Sequence, residues 1–284
     1  MASNLLSARD HSRESAGLRY VYPVVSRRAG GLSLGINLNP NNACNWRCLY
    51  CQVPNLRRGA APATDLARLE AELRGFLEEA TFSRFLADRV PTGMRRIHDI
   101  ALSGNGEPTS SKAFEGVVEL LGKIRCEHAA LADAKLVLIT NGSLVRQAHV
   151  QAGLRAMARL DGDVWFKLDS ATKEGMRAIN GTTLSPARVR DHLERAAHLC
   201  ATWIQTCVFA VDGLPPVREE RAAYLALIRE LVGARVPLRG VLLYGVARPS
   251  MQPEAPRLAP VSDEWMAQWA SEIAGCGLEV KWRP

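Results

Sequence analysis

Three of the seven cysteines in this 284-residue chain, Cys44, Cys48 and Cys51, fall within one eight-residue window of the stretch NNACNWRCLYCQVP, Asn41 to Pro54. Thiols this dense in a cysteine-poor chain point to a shared metal, and soft thiolates select zinc or an iron–sulfur cluster. A closed zinc site takes four tetrahedral ligands, and neither a second Cys-x2-Cys nor a His pair lies nearby to complete one. A cubane held by three cysteines leaves one iron open to another ligand, so iron is the better reading. Two readings without metal compete with it. The spacing i, i+4, i+7 is also one face of a buried helix, but Pro40, Asn41 and Asn42 before the cysteines and Pro54 after them read as an ordered loop following a strand. A disulfide framework is disfavoured by the odd cysteine count and by an N-terminus, MASNLLSARDHSRES, without a signal-peptide core.

The remaining chemically suggestive residues sit where predicted strands end. Leu66 to Glu79 reads as a helix capped at Thr64 or Asp65, and His98 to Ser103 as a strand closing in Gly104-Asn105-Gly106-Glu107-Pro108. Helix Phe114–Ile124, strand Lys135–Thr140 and helix Val145–Leu160 follow, the strand ending in Asn141-Gly142. Then come strand Val164–Ser170, helix Pro186–Cys200, strand Trp203–Val211, helix Val217–Val232 and strand Arg239–Val246. Helix Asp263–Ala274 and a short strand Leu278–Trp282 close the chain, while Val21–Asn39 reads as two extended runs about a Gly30-Gly31 turn. Strand and helix in strict alternation imply right-handed crossovers and a parallel sheet. Six units from Leu34 make an open, partial (β/α)6 barrel of the TIM-like kind, whose chemistry lies at the C-terminal ends of the strands.

Within that frame Lys167 and Asp169 share one face of their strand, because side chains alternate with period two. Burying both requires a ligand between them or a direct Lys–Asp pair. Gln205 and Cys207 share a face of the next strand, and Arg248 follows the last one.

Cys44-x3-Cys48-x2-Cys51, with Tyr50 just before the last cysteine, resembles the signature of the radical S-adenosylmethionine (SAM) superfamily, and matching elements follow in order from about Leu32 to Val246. The resemblance implies a [4Fe-4S] cluster on the three cysteines whose open iron chelates the amino and carboxylate groups of SAM. An electron then cleaves SAM to methionine and a 5′-deoxyadenosyl radical, which abstracts hydrogen from a substrate. By the same resemblance Gly104, Asn105, Gly106 and Glu107 hold the SAM amino group, Asn141 lines the pocket, Lys167 holds the carboxylate, Asp169 the ribose hydroxyls, and the backbone at Gly245 meets adenine. The segments LSGNGEPT, LITNG, FKLDS and IQTCVF are most similar to the branch of wyosine-tRNA synthesis enzymes. Those carry upstream cysteines for a second cluster; here none precedes Cys44, and Cys126, Cys200, Cys207 and Cys276 lack cluster spacing, so only the SAM chemistry carries over.

Nearly half the residues are apolar, enough for one large core, and no run approaches the ~20 apolar residues of a membrane span, so a cytoplasmic enzyme is expected. The expected parts are an arm and strand over 1–31, the core barrel over 32–250, and a helix and strand over 251–284. The formal charge of +7, with Arg57 and Arg58 just past the last cluster cysteine, suggests a substrate bearing phosphate or carboxylate, RNA being one candidate. The family resemblance adds an external electron donor of flavodoxin or ferredoxin type. It also leaves an alternative function, an activase that installs a glycyl radical on a partner protein.

Overall fold

In the computed structural model, which describes residues 5–6, 16–26 and 31–283, the alternating segments assemble into one eight-stranded sheet. Its strands are β1 (Val21–Ser26), β2 (Gly31–Ile36), β3 (Ile97–Leu102), β4 (Lys135–Thr140), β5 (Asp163–Lys167), β6 (Ala201–Val208), β7 (Leu238–Gly245) and β8 (Val280–Arg283). They lie side by side in chain order, β1 antiparallel to β2 and every later pair parallel. A strand order that never reverses means that right-handed crossovers set every helix on the same face, leaving the other face as an interior. Among the described residues β1 and β8 are the outermost strands and do not pair with each other, so the barrel is partial and open. Pro23 on β1 suits an edge, where a missing N–H costs no ladder bond.

The helices on the outer face are α1 (Leu66–Leu77), α2 (Glu79–Arg89), α3 (Phe114–Glu127), α4 (Ala148–Arg159), α5 (Lys173–Asn180), α6 (Pro186–Leu199), α7 (Arg218–Gly233) and α8 (Asp263–Ala274). Asp65 is the α1 cap, its carboxylate accepting from Arg68 N at 3.0 Å. One residue set in each strand, including Leu34, Leu102, Leu138, Phe166, Ile204 and Leu243, packs on these helices in a continuous core. Burial of each such side chain is worth roughly 1.5–3 kcal/mol. The alternate set faces the interior.

Four segments differ from the sequence reading. The expected single helix Leu66–Glu79 ends at Leu77, and a second one, α2, follows Glu78, whose extended backbone (ψ 131°) breaks the first. The short α5 was not foreseen; Thr172 caps it and Gly181, at φ 59°, ends it. β6 stops at Val208 instead of Val211, because Ala210–Val211 turns away to pair with Leu258–Ala259. The C-terminal strand also pairs with β7, as a seventh parallel strand that the six-unit reading did not include. Most of the arm predicted over 1–31 and Gly30 of the predicted turn lie outside the described residues; Leu6 is buried and its N–H donates to Arg89 O at 2.7 Å.

Candidate active site

The cysteine loop runs from the end of β2 across the C-terminal mouth of the barrel. Asn37 Oδ1 accepts from Asn39 N (3.1 Å) and Asn105 N (3.0 Å), and Asn39 Nδ2 donates to Ala43 O (2.9 Å), which ties the start of the loop to the turn after β3. Two distant segments hold its middle. The last turn of α5 accepts from Arg47 N at Asn180 O (3.0 Å) and from Leu49 N at Ile179 O (2.8 Å). From beyond β7, Met251 N donates to Cys51 O (2.9 Å), Ser250 Oγ to Leu49 O (2.6 Å) and Gln252 Nε2 to Val53 O (3.0 Å), and Arg47 pairs with Glu254 at 2.8 Å.

All three thiols line one cavity of about 690 Å³, in the range of small-molecule sites. Among the described residues no three or more His, Cys, Asp or Glu side chains are placed to hold a single metal ion. Burial pushes the Cys44 thiol up to about 12 and the Cys48 thiol to about 11.

Lys167 lines the cavity. Its Nζ lies 3.4 Å from Tyr244 Oη and 4.9 Å from the centre of the Tyr50 ring. Burial works against the ammonium, but Tyr244, Asp169 and Cys48 around it outweigh that and hold the group above the ordinary lysine value. Asp169 is turned the other way. Its carboxylate accepts from Tyr50 Oη, from Asn180 Nδ2 (2.7 Å) and from Cys207 N (2.9 Å), and it borders a second cleft behind the cysteine loop instead of the main cavity. β5 ends at Lys167, short of the expected Ser170, so Asp169 lies beyond the strand and the two side chains form neither the simple Lys–Asp pair nor a joint ligand clamp.

Glu107 is buried and heavily bonded. Its carboxylate accepts from Thr109 N (3.1 Å), Thr109 Oγ1 (2.6 Å), Thr140 Oγ1 (2.6 Å) and Asn141 N (2.7 Å), joining the ends of β3 and β4. Asn141 Nδ2 continues the chain to Asn45 Oδ1 in the cysteine loop at 2.8 Å. Gly106 is required by the protein itself, since a Cβ there would strike the Ala43 carbonyl, and Gly104 has φ +136° and presses on Asn37. Gly245 lines the cavity at the end of β7, where a Cβ would make only ordinary contacts, with Met266 and the Val208 carbonyl.

These side chains fit SAM by two independent features. Asn105 Oδ1 is buried without a hydrogen-bond partner, an acceptor suited to an ammonium. Lys167 offers a fixed cation to a carboxylate across the same cavity. Arg248 and Cys207 also line it, while Gln205, Arg57 and Arg58 do not. Arg57 and Arg58 instead pair with Ala43–Cys44 as an exposed two-residue ladder, with the Arg58 guanidinium bonded to Asn45 O and Gly181 O.

The comparisons with known proteins agree with this geometry at the level of fold. The structure resembles SuiB of Streptococcus suis bound to its precursor peptide SuiA (TM-score 0.58, 12% identity, covering 89% of this chain and 48% of that one). It also resembles a radical SAM methyltransferase from Sphaerobacter thermophilus (TM-score 0.55, 12% identity, 93% and 68%) and TYW1 with a lysine–pyruvate adduct (0.52, 12%, 96% and 80%). The fold is that of the radical SAM enzymes. At such identities the likeness extends to architecture alone. In sequence the chain is 27% identical over 165 residues to UPF0026 protein slr1464 of Synechocystis (56% of this chain, 52% of that protein) and 29% identical over 160 residues to UPF0026 protein MJ1312 of Methanocaldococcus jannaschii (56% and 42%). A stretch of 132 residues is 30% identical to part of the GTPase Obg of Brachyspira hyodysenteriae, 46% of this chain and 17% of that protein. This chain has no Gly-x4-Gly-Lys-Ser/Thr phosphate loop. It spans about half or less of these curated relatives, and no protein-family model matches it.

Sequence reading missed Asn180, Ser250 and Gln252, which hold the cysteine loop from 132 to 201 residues away. Local signals existed only in part. Asn180-Gly181 is a helix-stop dipeptide, and Pro249-Ser250 is a turn, but neither names its distant partner.

Proposed function

We propose that this chain is a radical SAM enzyme. The observation that carries the reading is the placing of three thiols, a fixed cation and an orphaned buried acceptor around one cavity. Cys44, Cys48 and Cys51 would hold a [4Fe-4S] cluster, with Asn105 taking the SAM amino group, Lys167 its carboxylate, and Asn141 and the Gly245 backbone bordering the rest. The bound group supplies the electron that splits SAM into methionine and a 5′-deoxyadenosyl radical. The protein binds, orients and excludes water: Val137, Ile139 and Trp165 form an apolar interior wall, and the 250–254 segment closes the cysteine loop. Glu107 and Asp169 act through their neighbours, by fixing the loops that carry the ligands.

Arg57 and Arg58, which suggested an anionic substrate, stay off the cavity, but Arg248 lines it. An anionic substrate, RNA among the candidates, is proposed on that residue. A cytoplasmic setting and an external one-electron donor of flavodoxin or ferredoxin type belong to the same proposal.

Anaerobic reconstitution should load about four iron and four sulfide per chain, and the protein should release 5′-deoxyadenosine when given SAM and dithionite. Cys48→Ala that keeps a full complement of iron, or stoichiometric zinc without sulfide in the wild type, refutes the assignment. Lys167→Met should keep the cluster and weaken SAM binding about tenfold or more, the cost of one charge-assisted bond at ~1.5–3 kcal/mol.

A further inference from the structure

The catalytic reading leaves one buried polar group beside the cluster cysteines without a task. Asn180 closes α5 and is 1% exposed. Its Nδ2 lies 3.4 Å from Cys48 Sγ and 2.7 Å from Asp169 Oδ2, and an amide nitrogen carries two hydrogens, so it makes both bonds at once. Both ends of the bridge are fixed. Asn180 O receives Arg47 N at 3.0 Å, and Gly181 follows in the left-handed region, where a Cβ would strike Arg58 and Arg47. Asp169 is held in turn by Tyr50 Oη and by Cys207 N at 2.9 Å.

We infer that Asn180 is a positioning residue that sets the reduction potential of the cluster by bridging the Cys48 sulfur to Asp169. The inference rests on the radical SAM reading. An N–H···S bond stabilises the ligand sulfur as it gains electron density, so it favours the reduced cluster and raises the potential; hydrogen bonds to sulfur are among the main controls of such potentials. The bridge does a second thing. It stands between the thiolate and the Asp169 carboxylate, whose negative charge opposes reduction. Without the amide, the sulfur loses a donor and faces that charge directly, and both changes lower the potential. Removing the Asp169 charge acts in the opposite sense.

The test is potentiometric titration, followed by electron paramagnetic resonance, of the reconstituted full chain without SAM. Asn180→Leu should make the reduction equilibrium about tenfold less favourable or more, a shift of at least ~59 mV to lower potential for one electron. Asn180→Asp, which is near-isosteric and keeps the packing should leucine fail to load iron, shares a proton with Asp169 and takes the donor from the sulfur, and should shift in the same direction. Asp169→Asn should shift to higher potential. An unchanged midpoint in either Asn180 variant with full iron content overturns the inference, and so do Asn180→Leu and Asp169→Asn shifts of the same sign, which would report loosened packing. A wild type that binds no [4Fe-4S] cluster overturns the enzyme reading itself, a result distinguishable from the others by iron and sulfide analysis.

Discussion

Glu107 is 2% exposed and carries four hydrogen bonds, so its first effect is on the joint between β3 and β4. Glu107→Ala leaves the Thr109 and Thr140 hydroxyls and Asn141 N unpaired in a buried place and should cost on the order of 3 kcal/mol in urea unfolding. Burial outweighs those donors and holds the carboxyl above its ordinary 4.5. The folded chain thus binds that proton more tightly than the unfolded one, and the associated stability is full below about pH 4.5 and lost as pH rises through the folded value. Between pH 4 and 7 the wild type should therefore lose stability relative to Glu107→Gln as pH increases, read as the difference in urea midpoints. At this scale the sequence was informative about identity and poor about partners. Period two put Lys167 and Asp169 on one face, but Tyr50, which claims Asp169, lies 119 residues away.

The elements that shape the site are loops clamped by remote turns. Gly106→Ala drives a methyl into the Ala43 carbonyl, and overpacking of ~1–3 kcal/mol falls on the cysteine loop itself. Iron content should drop sharply while far-ultraviolet circular dichroism is kept; full loading would show that the loop gives way freely. Gln252→Ala removes the bonds to Cys51 O and Val53 O. The loop should then open more often, so the rate of iron loss in air should rise several-fold with little change in unfolding midpoint. Strands such as Lys135–Thr140 and helices such as Asp263–Ala274 were legible to the residue, because apolar period and caps are local properties. α5 was not, because its eight residues give barely two turns of pattern between loops.

Across the whole molecule β8 decides where the sheet ends. Deleting residues 278–284 bares the β7 edge from Val241 to Tyr244, with Tyr244 beside Lys167. The shortened chain should unfold at lower urea and scatter more light on standing, since an unpaired flat edge recruits other chains. Among the described residues no helix is long and apolar enough to cross a membrane.

The latch between Cys51 and residues 250–252 has a meaning for biosynthesis. Every strand pair in the sheet joins successive strands along the chain, so the barrel can grow as it leaves the ribosome, one unit at a time. The start of the cysteine loop is tied early, through Asn105, but its middle is fastened late, because its clamps are α5 and a segment some two hundred residues downstream. On the radical SAM reading iron would thus be held only once residues 250–252 have emerged, and a chain stalled before them would present three loose thiols to whatever oxidant it met first.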